Sequence, residues 1–354
     1  MNAFAHRLGL RFPLIQAPMA GVQAHALTVA VSEAGALGSL PAAMLSPAAL
    51  RDELQAIRAK TTRPWNLNFF CHTEPPPDAQ AESAWLKALQ PYYAELGVDF
   101  ALAGSGASRA PFGEAAAALV EEFRPPVVSF HFGLPPAVLL QHVKQTGAFV
   151  LSSATTLDEG RWLEAQGADA VIAQGLEAGG HRGHFLSDDL SRQLGTFALL
   201  PQLKSALRVP VIAAGGIADA AGVAAAMALG ADAVQAGTVY LLCDEATTSA
   251  LHRAALQSEA AQHTALTNLF TGRPARGIVN RVMREQGPLR APPHPAFPRA
   301  TAALAPLRAA AEARGSGDFS PLWSGQNPRG CRPVPAAELT HALCRGFANL
   351  EPSS

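Results

Sequence analysis

Eight short strand-like segments recur along the chain, and this recurrence limits the possible folds more than any other feature of the sequence. Each segment is rich in β-branched, aromatic or small apolar residues and ends in Gly, Pro or a polar residue. Ala- and Leu-rich stretches with helical spacing separate them, which is the pattern of a parallel sheet built from βα units. The predicted strands are Pro13–Ala17, Leu37–Leu40, Trp65–Phe70, Val127–Phe132, Ala148–Ser152, Ala170–Ala173, Val211–Ala214 and Ala233–Ala236. Because eight strands close a barrel, we predict an α/β fold of the (β/α)8 TIM-barrel type rather than a doubly wound open sheet.

Candidate helices occupy the intervening segments. They are Ala24–Ala34, Pro47–Lys60, Phe112–Phe123, Leu157–Gln166 and Ala220–Leu229. Three helical stretches end at a glycine before the next strand, at Gly97, Gly167 and Gly230. A glycine there predicts a helix end in the left-handed conformation.

The pattern changes after the eighth predicted strand. From Tyr240 to about Ala313, helical runs precede a proline-rich stretch, Pro288–Pro298, without further β alternation. We therefore expect an inserted, mainly helical domain that covers the substrate. The expected organisation is a barrel over residues 1–239, a cover over 240–313 and a C-terminal segment, 314–354, that packs back on the barrel through a helix from Pro335 to Leu350.

Composition and charge exclude several classes of function. The chain has 354 residues, enough for a barrel of about 250 residues and one insertion. No apolar run reaches the roughly 18–20 residues of a membrane span, and residues 1–11 lack a secretory signal, so a cytoplasmic enzyme is expected. A net charge of −1 argues against a nucleic-acid partner. The four cysteines are too dispersed for a metal or redox site, so no metal is expected.

Glycine-rich loops follow the seventh and eighth predicted strands, where TIM barrels often bind phosphate. The first contains Gly215 and Gly216 and leads to Asp219, a candidate cap for the next helix. The second is the run Gln235-Ala236-Gly237-Thr238. Backbone N–H groups in such loops approach an anion closely, which predicts a bound phosphate. The alternative is that these glycines only form tight turns.

The loop after the sixth predicted strand contains a histidine between glycines. It includes Gly179, Gly180 and His181. At the carboxyl end of a barrel strand, an imidazole can act as an acid, a base or a hydrogen-bond donor, and we predict that His181 is functional rather than structural.

Polar side chains on the third, fourth and sixth predicted strands suit a flavin ring. Asn66 and Asn68 share one side of their strand, with Asn68 nearer the carboxyl end. The amides of Asn68 and Gln174 each offer a donor and an acceptor to a pyrimidine edge. His131 shares a face with Ser129, and it is either a substrate-pocket residue or a satisfied interior histidine.

These segments resemble class I of the nitronate monooxygenase family, also called 2-nitropropane dioxygenases. The resemblance is found in five segments that are distributed over most of the chain: Pro13–Gly21, Ala34–Pro41, Ser129–Pro135, Gly175–Gly183 and Phe270–Gly277. The resemblance implies noncovalent FMN and oxidation of alkyl nitronates by dioxygen, with propionate 3-nitronate as the expected substrate. The products would be a carbonyl compound and nitrite or nitrate, and a homodimer is left open.

The resemblance also assigns roles to individual residues. His181 matches the catalytic histidine. The cofactor site would comprise Pro18, Met19, Asn68, Gln174, Gly179, Gly180, Gly215, Gly216, Gln235, Ala236, Gly237 and Thr238, and the substrate pocket would add Ala20, Gly21 and His131.

The sequence departs from the family pattern in two places. After Gly21 the family often has Ser or Thr followed closely by Pro, whereas this chain reads Val22-Gln23-Ala24-His25. Beyond Tyr240 the chain contains neither the tyrosines nor the lysine with which some members line the substrate pocket.

Three other functions compete with nitronate oxidation. An FMN-dependent enoyl-acyl-carrier-protein reductase shares the segment Glu177–His181 but would consume NAD(P)H. A flavin-binding sensor or carrier would bind FMN without turnover. A barrel acting on purine nucleotides would need a nucleophilic cysteine in the loop that carries His181, and that loop has none.

Overall fold

The structure is a computed structural model that describes residues 2–103 and 109–348. Within that part, eight parallel strands form one sheet in the order β1-β9-β8-β6-β5-β4-β3-β2. The strands of this sheet are β1 (Leu14–Gln16), β2 (Gly38–Pro41), β3 (Trp65–Phe70), β4 (Val127–His131), β5 (Phe149–Ala154), β6 (Ala170–Gln174), β8 (Val211–Ala214) and β9 (Ala233–Ala236). Strands β1 and β9 pair in parallel, and the Ile15–Leu37 bridge brings β1 to β2, so the sheet curves round into a barrel. The predicted α/β barrel is confirmed, with each of its eight strands near its predicted position.

Helices surround the barrel. They are α1 (Ala3–Leu8), α2 (His25–Glu33), α3 (Pro47–Lys60), α4 (Ala79–Leu96), α5 (Glu114–Phe123), α6 (Ala137–Gln145), α7 (Leu157–Ala165), α8 (Thr196–Ala206), α9 (Ala220–Ala228), α10 (Ala250–Leu256), α11 (Arg281–Gln286), α12 (Ala300–Ala313) and α13 (Ala336–Ala348). The glycines predicted to end helical stretches, Gly97, Gly167 and Gly230, all have positive φ, at 62°, 95° and 97°. None of the described helices is both long and apolar enough to cross a bilayer.

The barrel interior is filled by apolar side chains from strands on all sides of the barrel. Ile15, Leu151 and Ile172 belong to one buried cluster, and Phe4 of α1 joins them from the amino-terminal end. This end is therefore closed, and the carboxyl ends of the strands are left to form the site.

The cover over the carboxyl ends draws on two distant segments. Helix α4, between β3 and β4, packs against α12: Trp85 Nε1 donates to the Ala300 carbonyl at 3.2 Å, and the Tyr93 hydroxyl donates to that of Ala303 at 2.6 Å. Leu307, on α12, is buried in the same apolar cluster. Part of the cover thus comes from within the barrel's own sequence, before residue 240.

A second, three-stranded sheet joins the cover to the barrel. It consists of β10 (Thr264–Thr267), β11 (Ala275–Ile278) and β7 (Gly180–His181), all antiparallel. The expectation of no β structure after the eighth barrel strand was wrong. Strands β10 and β11 are each only four residues long and pair with each other, so their sequence shows no extended alternation.

Helix α13 lies against α2 and α9 on the outside of the barrel. The Tyr240 hydroxyl and Thr340 Oγ1 are 3.0 Å apart, which links the end of the barrel to this helix. The last residues of the predicted C-terminal helix and segment, 349–354, lie outside the described residues.

Candidate active site

One cavity opens at the carboxyl ends of the barrel strands, under the cover. Its walls contain every candidate site residue named from the sequence except Gly21, which lies between the lining residues Ala20 and Val22. The cavity therefore brings together loops that lie more than 200 residues apart in the chain. No group of described residues has the composition of a metal site.

The main chain at His181 is fixed from both the barrel and the cover. Strand β7 pairs with β11, in the register His181 with Ala275. The His181 carbonyl also accepts hydrogen bonds from Gln174 Nε2 at 2.9 Å and His131 Nε2 at 3.1 Å. Strand β11, Gln174 and His131 therefore fix the backbone from which the imidazole projects at the edge of the cavity.

His131 is a neutral positioning residue. A carbonyl can only accept, so His131 Nε2 must carry the proton that it donates to His181, and Nδ1 then accepts from the Ser153 hydroxyl at 3.0 Å. Burial lowers the pKa of His131 to about 3, which agrees with the neutral form. Both ring nitrogens are engaged with protein groups, which favours the interior-histidine interpretation over a substrate contact.

The His181 ring lies in an aromatic enclosure and has one hydrogen-bond partner among the described residues. Its Nε2 is 2.9 Å from Thr271 Oγ1, and the Thr271 hydroxyl lies 3.4 Å from the Arg273 carbonyl. When the Thr271 hydroxyl donates to that carbonyl, which can only accept, His181 Nε2 donates to Thr271. The lone pair on Nδ1 is then left for a substrate.

Electrostatics keep His181 unprotonated. Burial lowers its pKa well below the usual value, and the positive charge of Arg109 lowers it further. The Phe297 and Trp323 rings pack against the imidazole, with centroids 5.3 and 5.5 Å away. An imidazole in this state can accept a proton, but it is a weaker base than one exposed to solvent.

The glycine loops have the conformations expected of an anion site. Gly215 and Gly216 have φ values of 122° and 73°, which only glycine adopts readily. Asp219 accepts from the Gly222 N–H at 2.8 Å and caps α9, as predicted. In the second loop, a Cβ on Gly237 would approach the Ala17 Cβ to 3.2 Å, so this turn has little room for a side chain.

Two amide oxygens in the cavity lack protein partners. Gln235 Oε1 is buried without a hydrogen bond. Asn68 directs its Nδ2 to Ser129, at 3.2 Å from the carbonyl and 3.0 Å from Oγ, and Oδ1 has no partner in the described part of the chain. A buried acceptor without a donor is costly, so Gln235 Oε1 fits a bound ligand that offers a donor, and Asn68 Oδ1 is available to the same ligand.

The side-chain amide of Gln174 already makes hydrogen bonds within the protein, which the sequence did not indicate. Its Oε1 accepts from the Gly183 N–H at 2.7 Å while its Nε2 donates to the His181 carbonyl. This leaves one N–H for a ligand, and the residue also holds the turn that presents His181.

The unusual sequence after Gly21 has a structural role. Gln23 is buried, and its Oε1 accepts from the Met19 N–H and from Gln16 Nε2, both at 2.8 Å. Helix α2 has no side-chain cap of its own; instead, Glu53 accepts from the His25 N–H at 2.6 Å. The Met19 loop is therefore fixed without the Ser or Thr and Pro of the family pattern.

Sequence reasoning missed a strap formed by the C-terminal segment. Gly325 N–H donates to Thr238 Oγ1 at 2.9 Å, Gln326 N–H donates to the Glu177 carbonyl at 2.9 Å, and Asn327 Nδ2 donates to the Gly216 carbonyl at 3.0 Å. These residues tie together the three loops that follow β6, β8 and β9. No local motif marks the strap; the only signal was glycine at Gly179, where a Cβ would lie 2.5 Å from the Gly325 nitrogen.

Comparisons with known proteins agree with this geometry. The family model described as nitronate monooxygenase matches residues 3–346. Nitronate monooxygenases from Pseudomonas aeruginosa and Paraburkholderia phytofirmans are each 43% identical to the chain, covering 97% and 96% of it and 98% and 93% of their own lengths.

Solved structures give the same result at the level of the fold. A nitroalkane oxidase from Streptomyces ansochromogenes superposes with a TM-score of 0.88 at 38% identity, covering 98% of both chains. FabK from Thermotoga maritima superposes with a TM-score of 0.73 at 25% identity, covering 99% of this chain and 96% of its own. With its family model matched almost end to end, the chain belongs to the nitronate monooxygenase family of flavin-dependent oxidoreductases.

Proposed function

We propose that the protein binds FMN and uses dioxygen to oxidise alkyl nitronates to a carbonyl compound and nitrite or nitrate, with propionate 3-nitronate as the expected substrate. The observation that carries the proposal is the free Nδ1 of His181, held in the same cavity as the two glycine loops. A cavity of this kind binds a phosphate at one end and places a base at the other.

The residues present fit FMN. Gly215, Gly216 and the loop ending at Thr238 would hold the phosphate, as glycine loops at this end of a TIM barrel commonly do. Asn68 and Gln235 would accept from the ring, because their amide oxygens lack protein partners. The remaining members of the proposed flavin site line the same cavity: Pro18, Met19, Gln174, Gly179, Gly180, Ala236 and Gly237.

The bound flavin supplies the capacity to take electrons from the substrate and pass them to dioxygen. The chain's own groups would do the rest. His181 Nδ1 would remove the α-proton of a neutral nitroalkane, whereas a preformed nitronate needs no base. Phe297 and Trp323 would keep water away from the reacting carbon. Thr271 would hold the imidazole in the required tautomer.

Oxygen uptake by the purified yellow protein tests the proposal. With propionate 3-nitronate or ethylnitronate, we expect rapid uptake, and with NADH or NADPH almost none. Rapid anaerobic flavin reduction by NADH would instead support the enoyl reductase, which the similarity to FabK keeps as a second candidate. Photoreduced flavin that reoxidises in air but never bleaches with a nitronate would support a carrier.

The cytoplasmic location, the homodimer and the domain limits at residues 240 and 313 remain predictions. Size-exclusion chromatography with light scattering tests the homodimer. Expression of residues 1–239 alone would test whether the barrel folds without its cover.

A further inference from the structure

Arg109 is the one charged side chain in the described cavity wall that has no carboxylate or set of carbonyls to neutralise it. Within the described residues, one of its five N–H donors is used, by Nη1 with Thr301 Oγ1 at 3.1 Å. No carboxylate in residues 2–103 and 109–348 forms an ion pair with it, and residues 104–108 contain no acid. The side chain nevertheless lines the cavity.

Other buried arginines of the chain show what a structural role requires. Arg182 is fully buried and donates to the carbonyls of Gly175 and Gln174 and to Gln193 Oε1. Arg253 donates to four backbone carbonyls. The described residues, 2–103 and 109–348, offer Arg109 no such set, so its guanidinium has donors available for a ligand.

The other charged group in the cavity wall does not compensate Arg109. The Glu177 carboxylate accepts from the Thr196 N–H at 2.8 Å and from the Thr196 hydroxyl at 2.9 Å, which caps α8. Burial lowers the pKa of Arg109, as expected for a cation without an anion nearby.

Arg109 is attached to the cover rather than to the barrel. Thr301, which accepts from it, is on α12 and itself donates to the Phe270 carbonyl at 2.9 Å. The Arg109 guanidinium carbon lies 6.0 Å from the Phe297 ring centroid, and the His181 ring lies 5.3 Å from the same centroid. A ligand at His181 would therefore extend along Phe297 towards Arg109.

We infer that Arg109 determines substrate specificity by binding a carboxylate at the end of the substrate remote from its nitronate carbon. The planar guanidinium fork matches a carboxylate with two parallel hydrogen bonds, which a single cationic point charge does not. This inference rests on the proposed function and names the residue that would distinguish alkyl nitronates with a second, carboxylate group from those without one. Arg109 is the one arginine among the described residues that line the cavity, and the chain has no lysine beyond Lys204.

Paired substrates of equal chain length test the inference. We would measure kcat/KM by oxygen uptake with propionate 3-nitronate and with propyl-1-nitronate, which lacks the carboxylate. Arg109→Leu should lower kcat/KM for propionate 3-nitronate by on the order of 10- to 100-fold, the effect of losing a hydrogen bond to a charged group, and leave propyl-1-nitronate within about threefold. Arg109→Gln, which retains a donor for Thr301, should show the same selectivity, and Arg109→Lys should recover part of the loss.

Arg308→Leu is the matched control. It removes a positive charge close enough to lower the pKa of Arg109, but Arg308 is paired with Glu312 at 2.7 Å and does not line the cavity. This variant should change neither substrate by more than about twofold. If Arg308→Leu lowers kcat/KM for propionate 3-nitronate as much as Arg109→Leu does, the effect comes from the overall positive charge near the cavity, and the inference is overturned.

A binding measurement separates failure of this inference from failure of the proposed function. Butyrate and 3-nitropropionate would be titrated into the flavin-loaded protein, and the flavin absorbance change would give Kd. Weaker binding of both to Arg109→Leu than to wild type supports the carboxylate site even if no nitronate is oxidised. Equal binding to both proteins, or equal losses on the two nitronates, overturns it.

Discussion

Replacing His181 with Asn should separate proton abstraction from every other task of the site. A neutral nitroalkane must lose its α-proton before it can be oxidised, whereas a nitronate has already lost it. Asn removes the base and, because its amide extends only as far as the ring Nδ1, it also gives up the hydrogen bond that Thr271 accepts from His181 Nε2 at 2.9 Å. The hydrogen bonds to the His181 carbonyl are made by its backbone and should persist.

The structure sets the expected size of the effect. A positioned general base contributes about 10²–10⁴-fold. Because the enclosure lowers the pKa of His181 well below its usual value, the base is fully unprotonated at pH 7 but weak. We therefore expect the lower half of that range for nitroethane, a loss of about 10²–10³-fold, or roughly 3–4 kcal/mol of barrier.

The assay is oxygen uptake with nitroethane and with ethylnitronate, each corrected for bound flavin. Ethylnitronate turnover should fall by less than about tenfold, since a preformed nitronate has no α-proton left to remove. His142→Asn, at an exposed position of α6, is the control and should match wild type. Equal losses on both substrates would leave His181 as an orienting or electrostatic group, and no loss on either would make it a packing residue.

Two further predictions concern the cofactor and stability. Gly216→Ala should lose most of its flavin on dialysis while Gly147→Ala keeps it, because both strain a positive φ, of 73° and 89°, but only Gly216 lines the cavity; equal flavin contents would rule out the phosphate assignment. Acid should destabilise the fold, because burial lowers the pKa of His131 to about 3 and of His184 and His252 to about 4, so the unfolded chain binds protons that the folded chain does not. The free energy of unfolding should fall below about pH 6.5, by about 2 kcal/mol per histidine between pH 7 and pH 5, and urea midpoints unchanged between these pH values would contradict it.

The barrel could be predicted because its signals are local. Each strand is a short apolar run with its own stop, as at Trp65–Phe70, and each helix end at Gly97, Gly167 or Gly230 needs only one residue. The fixed geometry of the barrel then places the ends of β6, β8 and β9 side by side. Loops with unrelated sequences could thus be assigned to one site without any knowledge of their contacts.

The cover could not be predicted in the same way, because its determinants are contacts between distant segments. The pairing of Gly180–His181 with β11 involves a strand of two residues, too short for any periodicity. Nothing in the sequence indicates that the Arg109 guanidinium contacts Thr301, which lies on a helix almost 200 residues further along the chain. The same is true of the strap from Gly325 to Asn327, whose donors include two backbone N–H groups that any residue type would provide.

These contacts show that the barrel and the cover contribute different parts of the site. The barrel contributes the flavin loops and, through Gln174 and His131, two donors to the His181 carbonyl. The cover contributes β11 and Thr271, which set the direction and tautomer of the His181 ring, and Thr301, which anchors Arg109. Both the base and the cation that we propose for the substrate are therefore oriented by the cover, whereas the loops that we propose for the cofactor belong to the barrel. A change in the cover should consequently alter substrate preference and proton transfer together while flavin binding persists.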